Sequence, residues 1–547
     1  MRFTTPRPFA IALLAAIICV CQHSLCQSAT PFTEQPTTGE WGDRSDGSFA
    51  NPILPADFSD LDAIRVGNTY YAISSTMQYS PGMTVLESRD LVNWRIVGGV
   101  VADLTAIDPE LNWDRMNRAG RGIWAGAIRW HEGKFWVYFA TPDQGIYMST
   151  APAAAGPWTP VQLVMPATGW DDTCPFWDDD GTLYLVTSHT AAEGASATKY
   201  NIHLFRLTPD GRSIVAGSDR IIHQSRGSEA NKLYKWNGLY YHYYSEVRPE
   251  GRVAMIERAH SLDGPWESHQ LLHVHGAVDK EPNQGGIVQA ADGRWWFFTH
   301  QGRGDWEGRA AVLLPVTWID GWPIIGRIGP DGIGEMLWHG SKPVARQPLA
   351  TVTASDDFAS PTLRPEWQWN YQPRPGMWSL TERKGFLRLH AFAPLKQGDL
   401  KTVGNVLTQR AFRSSHNQFT VKLDVSGMVD GQEAGLSHFA KSFASIGVLQ
   451  SGAPQRESTR TISVNDNGER TPGPELKQST VWLRSSWGFD GASSFSYSLD
   501  GKSFVPLGAI YQLTWGSYRG DRVGLFTVND KTAGWADFDS VRYEVAR

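Results

Sequence analysis

The chain has 547 residues, a formal net charge of −6 and no basic block. It exceeds what one hydrophobic core usually organises and lacks the electrostatic footprint of a nucleic-acid or anionic-membrane binder, so a neutral partner is expected. Aromatic residues make up 12% of the chain and include 24 Trp; such rings serve β-sheet cores and also pack against the C–H faces of sugars.

Residues 1–26 carry Arg2 and Arg7 ahead of an apolar run from Phe9 to Val20, followed by small and polar residues. This is the layout of a secretory signal, with cleavage expected near Cys26. The run is shorter than the roughly 20 residues of a membrane span. The expectation is a secreted or periplasmic protein with no membrane partner; acylation at Cys19 or Cys26 is the alternative. Only Cys174 lies downstream of the leader, so an intrachain disulfide is not expected.

After a lead-in over residues 27–50, one pattern recurs five times: an apolar strand, a polar turn ending in Gly, then an aromatic strand. The copies are AIRVGNTYYAIS at Gly67, IRWHEGKFWVYF at Gly133, FWDDDGTLYLVT at Gly181, LYKWNGLYYHYY at Gly238 and VQAADGRWWFFT at Gly293. Each reads as a β-hairpin. Three are followed by a turn ending at Trp94, Trp158 or Trp266, where an outer strand is expected. Hairpin plus outer strands make one propeller blade, so residues 51–345 are read as a five-bladed β-propeller. The repeat stops after Gly326, and residues 353–547 carry short alternating strands such as FTVKLDVSG and STVWLRSSW. The chain is therefore all-β, a propeller followed by a β-sandwich of concanavalin A-like or jelly-roll type. The polar stretch from Gly452 to Gln478 is expected to be a long exposed loop.

Innermost propeller strands face a central channel, so equivalent positions upstream of the hairpins face one another. Nine residues before the hairpin glycine stand Trp124, Asp172, Glu229 and Gln284; in the first blade, whose turn is shorter, seven back stands Asp60. Acids inside apolar strands are disfavoured by propensity and desolvation, so three in one register point to a shared polar site. Glycoside hydrolysis needs a carboxylic acid to protonate the leaving oxygen and a carboxylate to activate water or attack, and a third acid can tune the first. Metal binding or strand-end hydrogen bonding is the structural alternative.

The segments NPILPADFSDLDAIRVGNTYY, GPWTPVQL with DDTCPFWDDDG, SEANKLYKWNGLYY and GRAAVLLPVTWIDGWP resemble successive motifs of glycoside hydrolase family 43, and the resemblance spans both domains. It implies an inverting propeller enzyme with Asp60 as general base, Asp172 as pKa modulator and Glu229 as general acid; Asp62 is the weaker candidate for the base. The family's usual Glu-Gly-Pro is Glu229, Ala230 and Asn231 here, and its fifth-blade His is Gln284. Arg309 resembles the arginine that holds the innermost sugar. Trp124 would wall the pocket, and Trp515 or Tyr518 would close it from the sandwich. The resemblance implies no cofactor for catalysis and a structural calcium flanked by Asp357 and Asp537. The expected substrate is a hemicellulose or pectin-derived oligosaccharide or polysaccharide, from which an exo-acting enzyme releases arabinofuranose or xylose, with arabinofuranose slightly preferred. A carbohydrate-binding propeller without catalysis is the alternative, and the oligomeric state stays open.

Overall fold

The computed structural model describes Met1 and residues 40–190, 199–273, 282–302, 305–344, 347–452, 458–516 and 518–547. The expected leader and most of the lead-in lie outside the described residues. Regular structure is almost entirely strand, with three single-turn 3-10 segments at Leu104–Ala106, Pro109–Leu111 and Leu400–Thr402. No helix among the described residues is long and apolar enough to cross a membrane, which says nothing of a β-barrel.

Five four-stranded antiparallel sheets follow one another from Asp62 to Ile325. Their inner strands are Asp62–Val66, Gly126–His131, Trp170–Trp177, Glu229–Trp236 and Gly285–Gln289. Each pairs with the next strand through a turn containing Gly67, Gly133, Gly181, Gly238 or Gly293, all with positive φ. These are the five expected hairpins, and their turns need the left-handed backbone that glycine adopts without strain. Second strands such as Lys134–Thr141 and Trp295–Gly302 are buried along almost their whole length, because neighbouring blades cover both faces. That explains their continuous aromatic and β-branched sequence.

The segment leading into the first blade hydrogen-bonds to the fifth. The Ile53 and Phe58 N–H groups donate to the Ala311 and Arg309 carbonyls, each at 2.8 Å. The Ile287 N–H meets the Tyr234 hydroxyl at 3.1 Å, linking the fifth blade to the fourth. This closure brings Asp60 beside the start of the strand Arg309–Ile319.

Beyond the propeller the chain forms two eight-stranded sheets packed face to face. Alternate residues such as Phe419, Val421 and Leu423 of one, and Leu436, Ile446 and Leu525 of the other, fill the space between them. Tyr79–Ser80, from the propeller, adds an edge strand to one sandwich sheet by pairing with Trp369 and Asn370. A single buried cluster runs from Phe58, Leu61, Trp94, Phe298 and Trp306 into Phe412, Trp487 and the sandwich interior, so the two domains share a core. The expectation of a loop over 452–478 is corrected: Thr459–Asp466 and Glu469–Glu475 form a hairpin at the sheet edge. Its second strand is largely exposed, which is why its sequence lacks apolar alternation.

Candidate active site

Asp60, Asp172 and Glu229 lie at one end of the inner strands, and local backbone irregularity aims them. Asp60 (φ 56), Asp172 (φ 51) and Ala230 (φ 67) all adopt the left-handed conformation that non-glycine residues rarely occupy. Asp172 lies in a register slip between Asp171 and Cys174, and Glu229 opens another ending at Lys232. Two blades thus use the same device, a bulge that turns a side chain out of the pleat.

Asp60 is 4% exposed. Its carboxylate accepts from Arg309 at 2.6 Å and from the Ser75 hydroxyl, and its own N–H donates to His300 Nδ1 at 2.8 Å. Burial is the largest influence on Asp60 and would raise its pKa, but Arg309 and the groups beside it, Ser75 and Arg519 among them, together outweigh burial, so the carboxyl stays below its ordinary range. His300 is pushed down to about 3 by burial, reinforced by Arg309. It therefore sits neutral, holding the Asp60 backbone through its bare Nδ1.

Asp172 accepts from the Ala230 N–H at 2.6 Å and from the Gln284 side-chain amide. Burial, reinforced by the charge on Glu229, pushes it up to about 7 against the pull of Lys232. Glu229 is partly open to the pocket and ion-paired with Arg252 at 3.0 Å. Arg252 is itself held by the Gly227 carbonyl at 2.8 Å and the Ser245 hydroxyl at 3.0 Å. A fourth acid, Asp171, feels Asp172, Glu229 and Asp60 together; burial first, then those charges, raise its pKa well above the carboxylate range. All four carboxyl groups therefore belong to one site.

Asp62 is not part of that pocket's chemistry. It is fully buried, and its carboxylate accepts from Arg129 at 2.7 Å and the Ile128 N–H at 2.9 Å.

The sandwich completes the site. The Arg309 guanidinium lies 5.4 Å from the centre of the Tyr518 ring, and Tyr518 is 54% exposed. Arg519 donates to the Ser75 carbonyl at 2.9 Å, the Ser59 hydroxyl at 3.0 Å and Asp57 at 2.9 Å, and so ties the segment before Asp60 to Ser75, whose hydroxyl bonds the Asp60 carboxylate. Gly308 and Gly520 permit this approach: a Cβ at Gly308 would lie 2.7 Å from the Gly520 nitrogen. Trp515 is half-buried on the same loop, but it is Tyr518 that reaches Arg309. Trp124 enters the second blade's inner strand with a half-exposed ring whose Nε1 donates to the Gly120 carbonyl at 3.1 Å.

The two acids expected to flank a calcium do not meet as a pair of free ligands, and each has partners of its own. The Asp537 carboxylate is taken up by Arg388 at 2.8 Å and Arg383 at 2.9 Å, which supply the positive charge a metal would bring. Asp357 is exposed and accepts from the Ala359 N–H at 3.2 Å. Among the described residues no group of three or more His, Cys, Asp or Glu is placed to hold a metal.

Asp171, Arg252, His300 and Arg519 were not singled out from the sequence. Asp171 adjoins Asp172 and faces the same way only because of the bulge. Arg519 is 462 residues from Asp57, and no local pattern marks it.

Carboxyl groups with opposed proton affinities around one pocket, overlooked by an arginine and an aromatic ring, define an acid–base hydrolase of sugars. The family comparison agrees. Residues 49–323 match the glycosyl hydrolases family 43 and residues 355–544 the β-xylosidase C-terminal concanavalin A-like domain. The chain belongs to glycosyl hydrolase family 43 and is a glycoside hydrolase. It is 34% identical to a β-xylosidase of Formosa agariphila, over 98% of this chain and 97% of that one. It is 35% identical to a putative β-xylosidase of Xylanibacter ruminicola, over 91% and 89%. A solved family 43 enzyme, engineered to display endo-xylanase and exo-arabinofuranosidase activity, superposes with a TM-score of 0.77 at 26% identity, over 91% of this chain and all (100%) of that one.

Proposed function

We propose that this enzyme is an exo-acting, inverting β-xylosidase that removes pentose units from hemicellulose oligosaccharides outside the cytoplasm. The observation that carries the reading is the contrast within the site: Asp60 is held below the ordinary carboxylate range, whereas Asp172 keeps a proton up to about 7. A charged base and a group of raised proton affinity within one cluster of acids are what single-displacement hydrolysis requires.

In this mechanism Asp60 removes a proton from the water that attacks the anomeric carbon, and Glu229 protonates the departing oxygen. Asp172 and Glu229 share a proton, since burial and their mutual repulsion disfavour two charges side by side, and Glu229 passes it to the departing oxygen; through the Ala230 N–H, Asp172 also orients the strand that carries Glu229. Arg309 holds Asp60 ionised and presents its remaining donors to sugar hydroxyls, with Tyr518 and Trp124 as apolar walls. Closure by the sandwich loop favours attack on a chain end. The leader-like first 26 residues support export.

Xylose is preferred over arabinofuranose because the two curated relatives described above, each matched over most of the chain, carry xylosidase names. Arabinofuranosidase is the second reading, supported by the activity of the engineered neighbour. The test is hydrolysis of nitrophenyl β-xyloside, α-arabinofuranoside and β-galactoside, with proton NMR of the first sugar released. Turnover of the β-xyloside with α-xylose appearing first is expected. Release of β-xylose first would overturn inversion, and no pentose release would overturn the substrate class.

A further inference from the structure

Asn231 ties the strand that carries Glu229 to the strand that carries Asp172. It stands two residues after Glu229, inside the register slip that ends at Lys232. Its side-chain nitrogen crosses to the third blade and donates to the Asp172 carbonyl at 3.2 Å and to the Ser188 hydroxyl at 2.7 Å. Both amide protons are then spent, so its Oδ1 can only accept. The donor facing it is His242 Nε2 at 3.0 Å.

His242 lies on the neighbouring strand Leu239–Arg248 and is fully buried. Its Nδ1 is 2.8 Å from Glu257 Oε1. Glu257 is 2% exposed, and its second oxygen lies 3.1 Å from His223 Nδ1 on the third blade's outer strand. A buried line of polar groups therefore starts between two blades, passes through the fourth and ends on the backbone of Asp172. Buried polar groups are costly unless every member is satisfied; serving both Asn231 Oδ1 and the Glu257 carboxylate takes a proton on each His242 nitrogen, a charge that burial opposes and Glu257 offsets.

We infer that Asn231 is a positioning residue that sets the separation and orientation of Glu229 and Asp172, and that His242 and Glu257 act through it by fixing which way its amide points. The inference rests on the roles proposed above for Glu229 and Asp172. Asn231 does not itself touch the reacting atoms. Its loss should weaken proton delivery to the leaving group more than it weakens sugar binding.

The test compares wild type with Asn231→Ala, Asn231→Ser, Glu257→Gln and Glu229→Gln. Two substrates are used: the nitrophenyl glycoside of the pentose that wild type releases, whose leaving group needs little protonation, and the matching disaccharide. Misplacement by about 1 Å costs on the order of 100-fold. Accordingly Asn231→Ala should lose about 30-fold or more in kcat on the disaccharide and about threefold or less on the nitrophenyl glycoside, with KM nearly constant. Glu257→Gln should move the same way by less, and Asn231→Ser, which keeps one donor, should recover part of the loss. Equal losses on both substrates, or a lower melting temperature with unchanged kcat, would assign Asn231 a purely structural role. Should Asn231→Ala not fold, the serine and Glu257→Gln variants decide the question on the same ratio. Wild-type rates for Glu229→Gln on both substrates would instead remove the functional reading itself, whatever Asn231 does.

Discussion

The Asp60 carboxylate and the Arg309 guanidinium meet at 2.6 Å where burial alone would favour the neutral acid. Arg309 is thus the main reason that the proposed base is charged. Replacing it with Met should lower kcat/KM by about 100-fold and move the acid limb of the pH profile to higher pH, because Asp60 would then ionise later. A large loss with an unmoved acid limb would confine Arg309 to sugar binding.

Tyr518 projects from the sandwich over that arginine with more than half its surface open. Its removal leaves no cavity in the core, so Tyr518→Ala should fold with a near-normal melting temperature. KM should rise by about tenfold from the lost stacking surface, and Tyr518→Phe should behave almost as wild type. Steady-state kinetics on oligosaccharides check this.

Asp57 and Arg519 form a buried ion pair at 2.8 Å between propeller and sandwich. Asp57 is 1% exposed, and Arg410 and Arg522 lie beside it. Taking away this acid leaves the buried Arg519 guanidinium without its ion pair, which costs about 3–5 kcal/mol. Asp57→Asn should show this as a lower denaturation midpoint, together with reduced activity per folded molecule, since Arg519 also braces Ser59 and Ser75 around Asp60. Chemical denaturation alongside kinetics separates the two effects.

The propeller was legible because its turns require glycine and its strands require alternating or continuous apolar runs, both of which are local. Counting back from those glycines located Asp60, Asp172, Glu229 and Gln284, which the blades do bring together. What was not legible depends on contacts between distant segments. Arg519 gains meaning only when the sandwich loop meets Ser75, 444 residues away. Asn231 does so only when a bulge sets it against the third blade. The edge hairpin at Thr459–Glu475 was missed because polar strands with one open side do not alternate, although Asn467 and Gly468, both with positive φ, mark its turn. That Asp537 meets Arg383 and Arg388 could not be read either, because the arginines come from a different strand and loop.

His223 lies between Glu246 and Glu257. Burial opposes its charge, but the two carboxylates outweigh burial and hold it up to about 9, against 6.5 for a free imidazole. Its folded pKa is raised, so its contribution to stability is full below pH 6.5 and decays as pH climbs through about 9. His223→Gln should therefore lower the melting temperature clearly near about pH 6 and much less near about pH 9.5. An equal loss at both values would mean that the ring matters for packing and not for charge.

The most direct test of the account compares Asp60→Asn with Glu229→Gln on a nitrophenyl pentoside and on an unactivated disaccharide. Both variants should bind sugar and melt close to wild type, and both should lose nearly all turnover of the disaccharide. On the nitrophenyl substrate Glu229→Gln should regain much of its rate, because the leaving group departs without a proton. Asp60→Asn should not, because water still lacks its base. Wild-type rates in both variants on the disaccharide, or rescue of Asp60→Asn instead of Glu229→Gln, would contradict the assignment.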